Sequence, residues 1–199
     1  MRILRLFAGR VCRVLGCCML LAAGSTFTVS QAPAPAKPAV GTPQTPSAVY
    51  GKLLGIIEKE FVSAAEAMPD DKYDFAPPPT MGDFKGVRTF ADQVKHVTQA
   101  NYYFFNTTGA SEADLKTKGE SISKLKTKAE IVQALKDSLT QAHAYVDGIT
   151  AENAYVMTSS GTRAGMSSFG IAHMMDHYGQ MVVYLRMNGI VPPASRQGM

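Results

Sequence analysis

Four stretches of this chain place apolar residues every three or four positions, and none alternates them long enough to make a strand. Periodicity of that kind gives each stretch one apolar stripe to bury, and stripes of this sort are satisfied by packing helix on helix. The first stretch, 47–68, carries Val49, Leu53, Ile56, Ile57 and Phe61. Thr45 or Ser47 can cap it, and Pro46 suits a first-turn position. The second, 88–106, carries Phe90, Val94, Val97, Ala100 and Phe104, with His96 beside the stripe. The third, 128–148, opens on Thr127 and Glu130, which are spaced as a capping box, and continues through Ile131, Leu135, Leu139 and Ala142. The fourth, 167–188, follows a Gly- and Ser-rich loop at 158–165 and ends at Asn188 and Gly189, with Pro192 and Pro193 preventing continuation. The pattern predicts an all-α four-helix bundle. Between the first and second helices, 70–86 holds Pro77, Pro78 and Pro79 and reads as a long surface connection pinned by Tyr73, Phe75 and Phe84. Its length leaves room for a parallel crossover at that point.

Length and composition suit one domain: 199 residues, 46% apolar and 18% charged. Residues 1–32 read as a secretory signal peptide, because Arg2, Arg5, Arg10 and Arg13 precede an apolar run over 14–23 and small residues follow. That run is shorter than the roughly 20 residues that span a bilayer as a helix. An uncleaved N-terminal anchor is the alternative, and 14–17 resembles a lipobox ending at Cys17, although Arg10 and Arg13 interrupt the apolar stretch that should precede it. Residues 33–46, rich in Pro and Ala, form a stiff linker, and 47–195 is the domain. The expected location is periplasmic or extracellular, with no integral membrane segment once the leader is removed.

Cys12, Cys17 and Cys18 all lie in the leader, so the mature chain is expected to contain neither disulfides nor a cysteine nucleophile. The leader also carries the net charge: removing its four arginines from 20 Lys+Arg leaves 16 against 16 Asp+Glu. A neutral domain lacks the electrostatic footprint of a nucleic-acid binder. Its one basic run, Lys116, Lys118, Lys124, Lys126 and Lys128, has no interleaved aromatics and reads as a solvated loop and helix start. Homodimerisation through exposed helix faces stays open.

The histidines carry the chemistry. His173 and His177 are four residues apart on the fourth helix, which puts both imidazoles on one face, in a stripe with Phe169, Gln180 and Tyr184. A pair at this spacing can close on one ion, or can simply share a surface. His96 can face the same interior from the second helix, and a trio leaves coordination positions open for substrate. The zincin protease pattern is absent, since Met174 stands where its glutamate would be, and helices two and four lack the Glu-x-x-His pairs of di-iron bundles. His143 has no partner at ligand spacing and reads as a solvated or core histidine. Met174, Met175 and Met181 read as core, and Asp176 is a candidate for orienting a ligand histidine.

Residues 171–193, with His173, His177, Tyr178, Gln180, Tyr184, Asn188, Gly189, Pro192 and Pro193, resemble the final helix of DinB-like proteins. Residues 64–69 with Tyr73, Asp74 and Phe75 resemble the end of that family's first helix, and 90–96 its second. The resemblance spans about 47–195. It implies a DinB-type bundle with one divalent metal on His96, His173 and His177: zinc or nickel ahead of iron or manganese. Family members include bacillithiol transferases and mycothiol-dependent maleylpyruvate isomerases, and many are called metal-dependent hydrolases. The family name records damage inducibility and implies no DNA binding. Because low-molecular-weight thiols act mainly in the cytoplasm, export shifts the expectation from thiol transfer toward hydrolysis or binding of a small molecule. Gln180 and Tyr184 are secondary candidates for orienting substrate or water. No general base is evident in the sequence, so a non-catalytic metal- or ligand-binding module is the competing expectation. Intact-mass analysis of the protein isolated from its host should give a mature N-terminus near Ala32; retention of Met1 would refute the cleaved leader.

Overall fold

The computed structural model describes residues 37–196, so the expected leader at 1–32, Cys17 included, and the first linker residues lie outside them. Residues 37–40 form no helix or strand, and every element below belongs to the unit that begins at Gly41.

Thr45 starts the first helix, α1 (Pro46–Ala67), by accepting from the Ala48 amide at 3.1 Å, with Pro46 in the first turn. The buried stripe is Leu54, Ile57, Phe61, Ala64 and Ala65; Val49, Leu53 and Ile56, expected in the core, are exposed. The correction has a simple cause. Leu53 and Leu54, and Ile56 and Ile57, are adjacent apolar pairs, so two stripes one residue apart fit the pattern, and the small Ala64 and Ala65 select the second. Burying each large side chain of that stripe contributes about 1.5–3 kcal/mol.

Tyr73 turns the chain at the end of α1. Its hydroxyl donates to the Ala65 carbonyl at 3.2 Å, and its own carbonyl and that of Phe75 accept from Ala91 and Phe90 at 2.8 Å each. The start of α2 (Phe90–Phe104), capped by Thr89, is therefore fixed beside the end of α1, and the two helices run in opposite directions.

The parallel crossover comes one connection later than its expected place. The first part of the basic run 116–128, read from sequence as a solvated loop and helix start, belongs to a helix, α3 (Glu112–Ser123), opened by a capping box between Ser111 and Asp114. It packs on the outside of α2, where Gln99 donates to the Gly119 carbonyl at 2.7 Å and Lys118 lies over the Tyr102 ring at 4.7 Å. This helix carries the chain back, so α4 (Lys128–Asp147) runs parallel to α2: Asn101 bonds Ser138, and Gln141 bonds the Phe105 carbonyl. The Thr127 and Glu130 capping box of α4 is formed, and Ile131, Leu135, Leu139 and Ala142 are all buried.

The loop at 158–165 is also more ordered than its composition suggests. Two short strands, β1 (Met157–Thr158) and β2 (Gly161–Thr162), pair antiparallel across Ser159 and Ser160. Thr162 then caps α5 (Arg163–Met187), which starts four residues earlier than expected. The helix runs parallel to α1, as Tyr50 and Ser168 show at 3.2 Å, and antiparallel to α2. Each of α1 and α2 packs against both α4 and α5, giving an up-down-down-up bundle. Met174 and Met181 are in its core, whereas Met175 is exposed. His143 lies between α4 and α1 and pairs with Glu58 at 2.6 Å.

The approach of α5 to α2 is set at Gly170. A Cβ there would stand 2.7 Å from two ring atoms of Phe105 and 3.1 Å from Phe104 Cβ. Alanine normally gains about 0.8–1.0 kcal/mol over glycine inside a helix, but overpacking of this kind costs about 1–3 kcal/mol. Gly170→Ala should therefore lower the denaturant midpoint at unchanged m value; a raised midpoint would show that the two helices stand farther apart.

Candidate metal centre

Two helices build the cluster. On α2, Phe90, Val94 and Val97 anchor the core face and leave His96 at its edge. On α5, Ile171, Met174 and Met181 do the same, and place His173 half-buried and His177 buried on the face toward α2. Nε2 of His96 and Nε2 of His173 are 3.2 Å apart. Ring centroids are separated by 5.0 Å for His96 and His173, 4.8 Å for His96 and His177, and 4.5 Å for His173 and His177. One nitrogen from each ring falls within 4.8 Å of the other two, so the three could hold one metal ion.

The donor set fits such an ion. Imidazole nitrogens bound tetrahedrally at about 2.0–2.1 Å stand about 3.3 Å apart, close to the distance between His96 and His173. Charge state agrees as well. Burial, then the Arg88 guanidinium and the neighbouring histidines, pushes His96 down to about 4. Burial, His173 and Arg88 outweigh Asp176 in pushing His177 down to about 4. Burial lowers His173 in the same direction. All three rings are therefore neutral at pH 7, with a lone pair on each.

A chain of amides fixes which lone pair His177 offers. Asp176 Oδ2 can only accept, and Gln180 Nε2 donates to it at 3.1 Å. That turns Gln180 Oε1 toward Gln93, whose Nε2 donates to it at 2.8 Å. Gln93 Oε1 then faces Nδ1 of His177 at 2.5 Å and requires a proton there. Nε2 of His177 is left as the acceptor, pointing toward the other rings. Asp176 thus acts on the cluster through two side-chain amides rather than by touching a histidine. Gln180 is a link in this chain, and Tyr184 is a packing residue whose hydroxyl donates to the Arg88 carbonyl at 3.0 Å. Gln93 had no place in the sequence-based site. Its signal was a polar residue one helical turn before His96, in phase with the buried Phe90 and Val97.

The sequence matches the family model of the DinB superfamily over residues 54–181. The chain belongs to the DinB superfamily. The matched span contains all three histidines together with Gln93, Asp176 and Gln180, and metal binding is general in the DinB superfamily. No curated protein is similar enough in sequence to count as a match. Among the described residues of this DinB member, no helix is long and apolar enough to cross a membrane.

Lowered histidine values fix the sign of a pH effect. The unfolded chain takes up protons near 6.5, folded His96 and His177 only near 4, so the stability of the metal-free protein is full above about pH 6.5 and falls as pH drops toward 4. Nitrogen-15 spectra of the metal-free protein should show His177 as the Nδ1–H tautomer with a midpoint near 4. Gln93→Leu should abolish that tautomer preference; an ordinary midpoint above 6 in the parent protein would contradict the buried cluster.

Proposed function

We propose that the protein is a divalent-metal-dependent enzyme, a hydrolase or group transferase acting on a small molecule, with His96, His173 and His177 as the metal ligands. The observation that carries this reading is the convergence of three neutral imidazoles from two helices on one point. Zinc or nickel suits the all-nitrogen donor set better than iron or manganese, which more often sit with carboxylates. Neutral ligands leave the ion's double positive charge uncompensated, so when bound it would supply Lewis-acid chemistry and attract anions. The polypeptide's part is positional. His177 is held by Gln93, the rings are kept unprotonated by burial and Arg88, and the cluster lies at the edge of the α2 and α5 contact, where His96 borders a polar cleft.

We further propose that this activity belongs to the cell envelope, with 1–32 as a removed leader, 33–46 as the linker and 47–195 as the working domain. Hydrolysis then ranks ahead of thiol transfer, since the usual thiol cofactors are cytoplasmic.

One observation favours a second reading, a non-catalytic metal- or ligand-binding module. Among the described residues no carboxylate joins the histidine cluster as a general base, and the nearest in the chain, Asp176, is engaged with Gln180. Elemental analysis of untagged protein should give about one equivalent of transition metal, lost in the His173→Ala, His177→Ala double variant. Absence of metal in the parent protein, even after zinc and nickel titration, would end the metal reading. Given stoichiometric metal, turnover of any ester, amide or thiol-acceptor substrate that disappears in the double variant supports the enzyme, and no turnover across that panel supports the binding module.

A further inference from the structure

We propose that the cleft beside His96 receives the oxyanion of a small substrate, a carboxylate or phosphate, on the Arg88 guanidinium. The inference rests on the metal-centre reading and names the substrate class of that same site.

Arg88 is placed for this role by the backbone. It immediately precedes the Thr89 cap, and the Tyr184 hydroxyl of α5 holds its carbonyl at 3.0 Å, so the residue is tied to both helices that carry histidines. Its exposed side chain lines the cleft of about 310 Å³ that includes His96, and also an adjoining one of about 350 Å³ bordered by Gln93, Gln180 and Tyr184. Nearness to the cluster is felt electrostatically, because Arg88 is among the causes that disfavour protonation of all three imidazoles.

The cleft contains two other charges, and they cancel: Lys95 Nζ meets Asp92 Oδ1 at 2.9 Å. Among the described residues Arg88 makes no ion pair. The uncompensated charge of the cleft is therefore a single guanidinium, whose planar fork matches carboxylate and phosphate oxygens. A divalent ion on neutral rings adds positive charge beside it. The floor of the site thus selects for an anion on both counts.

Isothermal titration of the full-length, zinc-loaded protein tests this with 4-phenylbutyrate, phenylphosphonate and the uncharged 4-phenylbutyramide, with metal content measured on every sample. At least one acid should bind in the millimolar range or tighter and the amide at least about tenfold more weakly, the loss expected for one hydrogen bond to a charged group. Arg88→Gln should weaken that acid by a similar factor at unchanged metal content. The tighter of the two acids identifies carboxylate or phosphate as the recognised group. The proposal is overturned if neither acid binds, if the amide binds as well as the acid, or if Arg88→Gln leaves acid binding intact; metal stoichiometry in those samples would leave the three-histidine reading standing. Arg88-dependent binding in protein that takes up no metal would sustain the anion site and remove the metal centre.

Discussion

The contact between α2 and α5 is the constraint on which the site depends. At one end Gly170 lets the α5 backbone come against Phe105, and at the other Gln93 and Gln180 exchange a hydrogen bond across the same seam. Between these two points the helices have no freedom to separate, and the histidines lie between them. His96 and His173 are 77 residues apart in sequence, so nothing local could hold their nitrogens at 3.2 Å; only the packing of the whole bundle does so. Core packing and site geometry are one problem here, because the small residue that brings the helices together also sets the spacing of the rings.

Burial has a second effect on the same cluster. Three basic groups crowded in water would each take up a proton near 6.5 and repel one another. Removed from water and placed near Arg88, they stay neutral well below that, and crowding ceases to be costly. The arrangement is therefore stable as a set of lone pairs and unstable as a set of cations. A cluster with this character favours a cation as its partner, in contrast to the half-buried His143, which already has the Glu58 carboxylate beside it.

Much of the architecture was legible in the sequence, for identifiable reasons. Thr127 with Glu130, Asn188 with Gly189, and the prolines after them are local signals whose physics does not depend on tertiary context, and each marked its helix end. His173 and His177 share a face by helical geometry alone. What escaped was set by tertiary structure. In α1, adjacent apolar pairs left the stripe ambiguous by one residue, and contact with α4 and α5 decided it. In α3, only Ala113, Leu115 and Ile122 are apolar within a lysine-rich stretch, so periodicity had little to register; the Ser111 and Asp114 cap was the available signal. Since α3 was missed, the crossover was looked for in the proline-rich connection before α2. Gln93 escaped because a polar residue in a buried stripe has no meaning until its partner on another helix is known.

The chain of amides from Asp176 to His177 has a direction as well as a length. Each side-chain amide has one accepting end and one donating end, so the orientation of the first dictates that of the next. Asp176 is exposed and two links away from the cluster, yet because it can only accept, it determines that the inner nitrogen of His177 is a lone pair and not an N–H. A residue that could only donate at position 176 would favour the reverse of every dipole in the line. The surface of α5 thus holds one bit of information about the interior, the polarity of a ring that it never touches.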